Sequence, residues 1–97
     1  MRLPSKVVIG GRTFTVTRVK GDGGQFRLTP PLLEVGRDDT DEGQMQTFIH
    51  EVLEMVLTER CHRYEGFPDA NFMFMLDHRQ FCEVVKDFYL ALKGVLK

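Results

Sequence analysis

Several things are scarce in this chain, and each scarcity narrows the reading. Two cysteines, Cys61 and Cys82, are the only thiols among 97 residues. They are too few and too unpatterned for a disulfide framework, so the sequence predicts a protein of the reducing cytoplasm. Met1-Arg2-Leu3-Pro4-Ser5-Lys6 is followed by no apolar core of the kind a secretory leader carries. No apolar run approaches the length that spans a bilayer, which gives a membrane role no support. Neither sign of charge is in excess: 13 Lys and Arg stand against 14 Asp and Glu. With a formal net charge of -1 and a pI near 6.3 there is no basic field to favour nucleic acid as a partner. No internal repeat and no low-complexity segment interrupts the chain.

What is present suits one folded domain spanning 1–97, with 42% hydrophobic and 28% charged residues. Val7-Val8-Ile9 and Thr13 to Val19 read as two antiparallel strands around Gly10-Gly11, a pair suited to the positive φ values of a tight hairpin. Phe14 and Val16 alternate with Thr13, Thr15 and Thr17, so one face of the sheet is buried and the other wet. Gly21-Asp22-Gly23-Gly24 is a loop. Gln25 to Thr29 is a third strand ended by Pro30-Pro31, and Leu32 to Val35 is a short fourth whose neighbouring prolines suggest an edge. Two helices follow. The first, over about 42–64, opens at an Asp41/Gln44 capping box and buries a stripe of Met45, Phe48, Ile49, Val52, Leu53, Val56 and Leu57. Cys61 to Gly66 forms its end, with basic residues in the last turn and Gly66 as a left-handed cap. Phe72 to Leu76 reads as an extended, core-filling linker. The second helix, over about 77–94, opens at an Asp77/Gln80 capping box and carries Phe81, Val84, Val85, Phe88, Tyr89 and Leu92 inward. The expected fold is α+β: an antiparallel sheet of three to four strands, then two helices packed on one face.

The chemistry concentrates in the first helix, in Ile49-His50-Glu51-Val52-Leu53-Glu54. His50 and Glu54 are four residues apart and project from one helix face a turn from each other, the geometry that two ligands of one ion require. Glu51 points to the side, where a general base sits in metal-dependent hydrolases without ligating the ion. The better-known sequence for this arrangement is His-Glu-x-x-His, and here glutamate stands in the last position. His50 falls at the edge of the apolar stripe and Glu54 just outside it, so the site borders the core. His78 opens the stripe of the second helix and faces His50 and Glu54 if the two helices pack together.

In order of parts, the chain resembles the small zincin-like proteins of phages and prophages, which look like reduced relatives of the ImmA/IrrE type of metallopeptidase. The likeness runs from about Val7 to Leu92, and its specific part is confined to Phe48–Glu54 and Leu76–Phe81. The resemblance implies His50 as ligand and Glu51 as the catalytic glutamate. With glutamate at 54 it further implies Glu54 and His78 as the remaining ligands. Two imidazoles and a carboxylate leave a divalent ion with net positive charge and an open position for water, the composition of a catalytic zinc site. The same set also serves non-haem iron, so zinc or another divalent metal such as iron fits. The family likeness implies amide hydrolysis on a protein or peptide, an edge strand at Leu32–Val35 beside the site, and a bacterial host's cytoplasm as the location.

Each of these readings has a plainer counterpart. His50, Glu51 and Glu54 also fit a solvated helix edge facing water and Arg63 or lysines. His78 also fits a neutral histidine at a helix N-terminus, where the dipole disfavours its charge. Cys61 and Cys82 are expected as buried, unreactive side chains, and not as ligands. The alternative to a hydrolase is a catalytically inactive zincin-like domain that binds another protein. Nucleic-acid binding rests on scattered Arg12, Arg18, Lys20 and Arg27 alone and is not expected.

Overall fold

The computed structural model describes residues 3–65 and 72–93. In chain order its elements are β1 (Lys6–Ile9), β2 (Arg12–Val19), β3 (Gly24–Leu28), β4 (Pro31–Gly36), α1 (Asp41–Glu59), β5 (Arg63–Glu65), β6 (Phe72–Phe74) and α2 (His78–Leu92). The architecture is the expected α+β arrangement, a four-stranded sheet followed by two helices, with β5 and β6 forming a separate antiparallel pair between them.

The sheet has the order β1-β2-β4-β3. Gly10 and Gly11 take φ of 59° and 80°, the paired positive values that let a two-residue turn follow the twist of its strands. From β2 the chain passes to the far edge, returns as β3, and turns at Thr29-Pro30 into β4, which fills the gap between them. Having reversed twice, β4 is antiparallel to β3 and parallel to β2, so the sheet is mixed and not wholly antiparallel. The edge strand expected at Leu32–Val35 is therefore central, and β3 is the edge. Pro31 misled because it occupies the first strand position, where a missing N–H costs no ladder bond. Leu33 and Val35 are fully buried.

Side chains from one face of the sheet, Val7, Ile9, Phe14, Leu33 and Val35, meet Phe48, Val52, Met55, Val56 and Leu57 of α1 and Val84, Ala91 and Leu92 of α2. The cap of α1 is Thr40, whose side chain accepts from the Gly43 amide at 3.0 Å, one residue earlier than the Asp41 cap read from sequence. Gln44 turns inward and donates to the Asp39 carbonyl at 2.9 Å. The buried stripe is also shifted: Glu51 is buried, while Ile49 and Leu53 stay exposed. Asp77 and Gln80 form the expected capping box at α2. Arg60 ties the helices together through Asp87 at 2.7 Å and Glu83 at 2.9 Å. On α2, Phe81, Val85 and Tyr89 face solvent despite their helical spacing. Phe74 and Met75 are exposed too, so these two residues of the linker do not fill the core, while Leu76 packs against it. Residues 66–71, which precede it, lie outside the described residues.

The largest difference from the sequence reading is the end of α1. The helix stops at Glu59, because Cys61 adopts φ of 60°. The Cys61 amide donates to Thr58 O at 3.0 Å and the His62 amide to Leu57 O at 2.8 Å. These two bonds define a Schellman cap with cysteine where glycine is usual. Gly66, the expected cap, lies outside the described residues. An L side chain in the left-handed region costs about 1 kcal/mol, and Cys61 is exposed, so no packing offsets it. Cys61→Gly is predicted to raise stability by about 0.5–1 kcal/mol in urea denaturation, and Cys61→Val to lower it. A destabilised glycine variant would refute this account of the helix end.

Candidate metal centre

Burial of Phe48, Val52, Met55 and Val56 against the sheet turns the flank carrying 50, 51 and 54 toward β3 and solvent. His50 Nε2 lies 2.8 Å from Glu54 Oε2 and 3.6 Å from Glu51 Oε2. One ligand atom from each of the three side chains falls within 4.8 Å of the others, and among the described residues this is the one such group. Their exposures are graded: the His50 side chain is 67% accessible, Glu54 19% and Glu51 10%. The imidazole thus forms the open rim and Glu51 the floor.

The burial of Glu51 has a specific cause. At Gly24, an added Cβ would stand 2.6 Å from Glu34 O, 2.7 Å from Thr47 Cγ2 and 3.6 Å from Glu51 Cγ. The β3 backbone therefore passes directly against the Thr47–Glu51 turn of α1, a closeness that only glycine permits. From sequence, Gly24 reads as a loop residue and nothing more. Desolvation there raises the Glu51 pKa above its ordinary value, the neighbouring Glu54 carboxylate raises it further, and His50 and Arg63 oppose both.

Arg63 is the residue whose position the sequence concealed. Read as part of the last turn of α1, it instead lies on β5 and returns to the helix. Its Nε is 3.6 Å from Glu54 Oε1, its Nη1 donates to Thr58 Oγ1 at 3.3 Å, and its guanidinium stacks 5.4 Å over the Phe26 ring. Glu54 is thus held between Arg63 on one oxygen and His50 on the other.

His78, expected as the third ligand, is not brought into the group. It is the first residue of α2, exposed, with both ring nitrogens 3.9 Å from Cys82 Sγ one turn along its own helix. The third side chain grouped with His50 and Glu54 is Glu51. Cys61 and Cys82 are both exposed, contrary to the burial expected of them. Cys61 is at the surface because it caps the helix end, and Cys82 because that side of α2 is uncovered.

Two depressions meet at His50. A polar cleft is bounded by Gly23, Gly24, Gln46, Thr47, His50 and Glu51. On the other side, a groove of about 420 Å³ runs between the helices past Leu53, Leu57, Phe74, Leu76, Phe81 and Val84, with His50 and Glu54 at its edge. No helix among the described residues is long and apolar enough to cross a membrane.

Two predictions come from this geometry. Gly24→Ala is predicted to cost about 1–3 kcal/mol by chemical denaturation, because the atoms it would meet include backbone that cannot move aside. A neutral effect would mean β3 does not press on α1. The second concerns the protein held free of metal by a chelator. A carboxyl whose folded pKa is raised contributes stability below its unfolded pKa and loses it as pH rises through the folded value. Glu51→Gln is therefore predicted to be more stable than the parent at pH 8 and to lose that advantage as pH falls below the ordinary carboxylate range. Equal melting temperatures at both ends of the titration would contradict the burial of a charged Glu51.

Comparison with protein-family models, with curated proteins and with solved structures returned no match. The functional reading therefore rests on the residues of the site and on the motif they form.

Proposed function

We propose that the protein is a zincin-like, metal-dependent hydrolase acting on an amide bond of a protein or peptide, with His50 and Glu54 holding a divalent ion and Glu51 handling the proton. The observation that carries this reading is the convergence of the three donors within 4.8 Å on a helix flank that is open at His50. Zinc bonds of about 2.0–2.2 Å set neighbouring tetrahedral ligand atoms about 3.3–3.5 Å apart. The separation of His50 Nε2 from Glu54 Oε2, 2.8 Å, is a little shorter than that spacing, so a small side-chain rotation opens the pair to an ion, while Glu51 Oε2 stays 3.6 Å from His50 Nε2, beside the ion and not on it. An imidazole and a carboxylate are ligand types that zinc and iron both accept.

The chemistry such an ion supplies is an acidified water and a charge that polarises a carbonyl. The rest falls to the chain. Glu51, shielded by β3, is the group to take a proton from the attacking water and return it to the leaving nitrogen. Arg63 keeps the Glu54 carboxylate turned toward His50, the kind of outer support that fixes ligand orientation. The resemblance to the ImmA/IrrE type supports the same roles for His50, Glu51 and Glu54, and with them a phage or prophage origin and action in the cytoplasm of a bacterial host. His78 is not needed in this assignment.

A second reading, a protein-binding module without catalysis, is favoured by one specific observation. His50 Nε2 and Glu54 Oε2, 2.8 Å apart, are already in direct contact with each other, and Phe74, Met75, Phe81, Val85 and Tyr89 are exposed.

Calorimetric titration of zinc into tag-free protein separates the two. One ion per chain is expected, with binding lost in His50→Ala and Glu54→Ala and kept in Glu51→Gln and His78→Ala. Hydrolysis of a fluorogenic peptide library is expected to fall at least about 100-fold in Glu51→Gln. No uptake by the parent protein would remove the metal reading and leave the binding module. Uptake that disappears in Glu51→Gln would make Glu51 a ligand and contradict its role as base.

A further inference from the structure

The groove beside the site constrains what can occupy it. Its wall is Leu53 and Leu57 of α1, Phe81 and Val84 of α2, and Phe74 and Leu76 from the segment between, all apolar. Only at one edge does it meet polar groups, His50 and Glu54. An occupant that is apolar throughout would cover the polar atoms of His50 and Glu54 without pairing them. One charged throughout would lose its hydration among six hydrocarbon side chains. The chemistry that satisfies both ends is bipolar, an apolar body with a single polar head. The volume of about 420 Å³ lies within the range of about 300–1,000 Å³ typical of small-molecule sites, large enough for an aromatic or branched aliphatic group. Phe81 and Phe74, 53% and 43% exposed, gain cover from such a group, and a ring would meet aromatic partners there.

We propose that this groove is a binding site for the apolar side chain of an acyl compound, of phenylalanine or leucine size, whose carbonyl lies at His50 and Glu54. On the other side of His50 the polar cleft against β3 would take the remaining polar part of the same molecule. The placement of the carbonyl rests on the metal reading above; the preference of the groove for an apolar group does not.

The test uses two probes that share a metal-binding head and differ only in the body, acetohydroxamate and N-hydroxy-3-phenylpropanamide, titrated into zinc-loaded protein. The phenyl compound is expected to bind at least about tenfold more tightly, given the area a ring would bury. Phe81→Asp, at a half-exposed position where folding is not at stake, is expected to abolish that difference. Val85→Asp, on the same helix but outside the groove lining, is expected to keep it. Equal affinity for the two probes in the parent protein would overturn the proposal while leaving the metal site standing. If the protein takes up no zinc, the neutral amide N-methyl-3-phenylpropanamide serves as probe of the metal-free chain. Shifts of the Leu53, Leu57, Leu76 and Val84 methyl resonances that vanish in Phe81→Asp would then support the groove, and an unchanged spectrum would overturn it.

Discussion

The seating of α1 on the sheet fixes everything else. Phe48, Val52, Met55 and Val56 are fully buried against Phe14, Leu33 and Val35, and a helix held at those four positions has no rotational freedom left. Its 100° step per residue then decides where the polar residues go. Position 51 turns toward β3, positions 50 and 54 come to the rim above it, and 53 and 57 face the groove shared with α2. The chemistry of the site is in this sense a by-product of core packing. A change that rolled the helix would move all three carboxylate and imidazole groups at once.

The second constraint is the closeness of β3. A strand lying farther off would leave Glu51 hydrated, with the proton affinity of any surface carboxylate. Gly24 allows the backbone to come near enough to exclude water without a side chain of its own in the way. Arg63 completes the arrangement from the opposite side, bracing Glu54 while its guanidinium rests on Phe26, a β3 residue. The edge strand thus acts on Glu51 and β5 on Glu54, from different directions, and the sheet does more here than support the helix.

The helix and its motif were legible because both follow from local spacing: the apolar period of α1, the four-residue interval from His50 to Glu54, the Asp77/Gln80 box, and the Gly10-Gly11 turn. What escaped depends on contacts between segments distant in sequence. That β4 would slip between β2 and β3 has no local signature, and the prolines before it pointed to an edge. The end of α1 escaped because the left-handed cap is a cysteine, and residue type alone gives cysteine little claim to that conformation. Once the helix ends at Glu59, Arg63 is free to fold back on Glu54, so the role of Arg63 and the end of the helix were missed together. His78 faces His50 and Glu54 only if packing of the two helices turns it inward; the helices do pack, but its ring lies along its own helix beside Cys82.

The central claim is that His50 Nε2 exchanges its contact with Glu54 for a bond to a divalent ion. The most direct measurement is a long-range proton–nitrogen NMR spectrum of the three imidazoles, recorded before and after one equivalent of zinc at neutral pH. The account predicts that Nε2 of His50 moves to the position of a metal-bound nitrogen while the rings of His62 and His78 keep theirs. An unchanged His50, or a shift confined to His78, would contradict it.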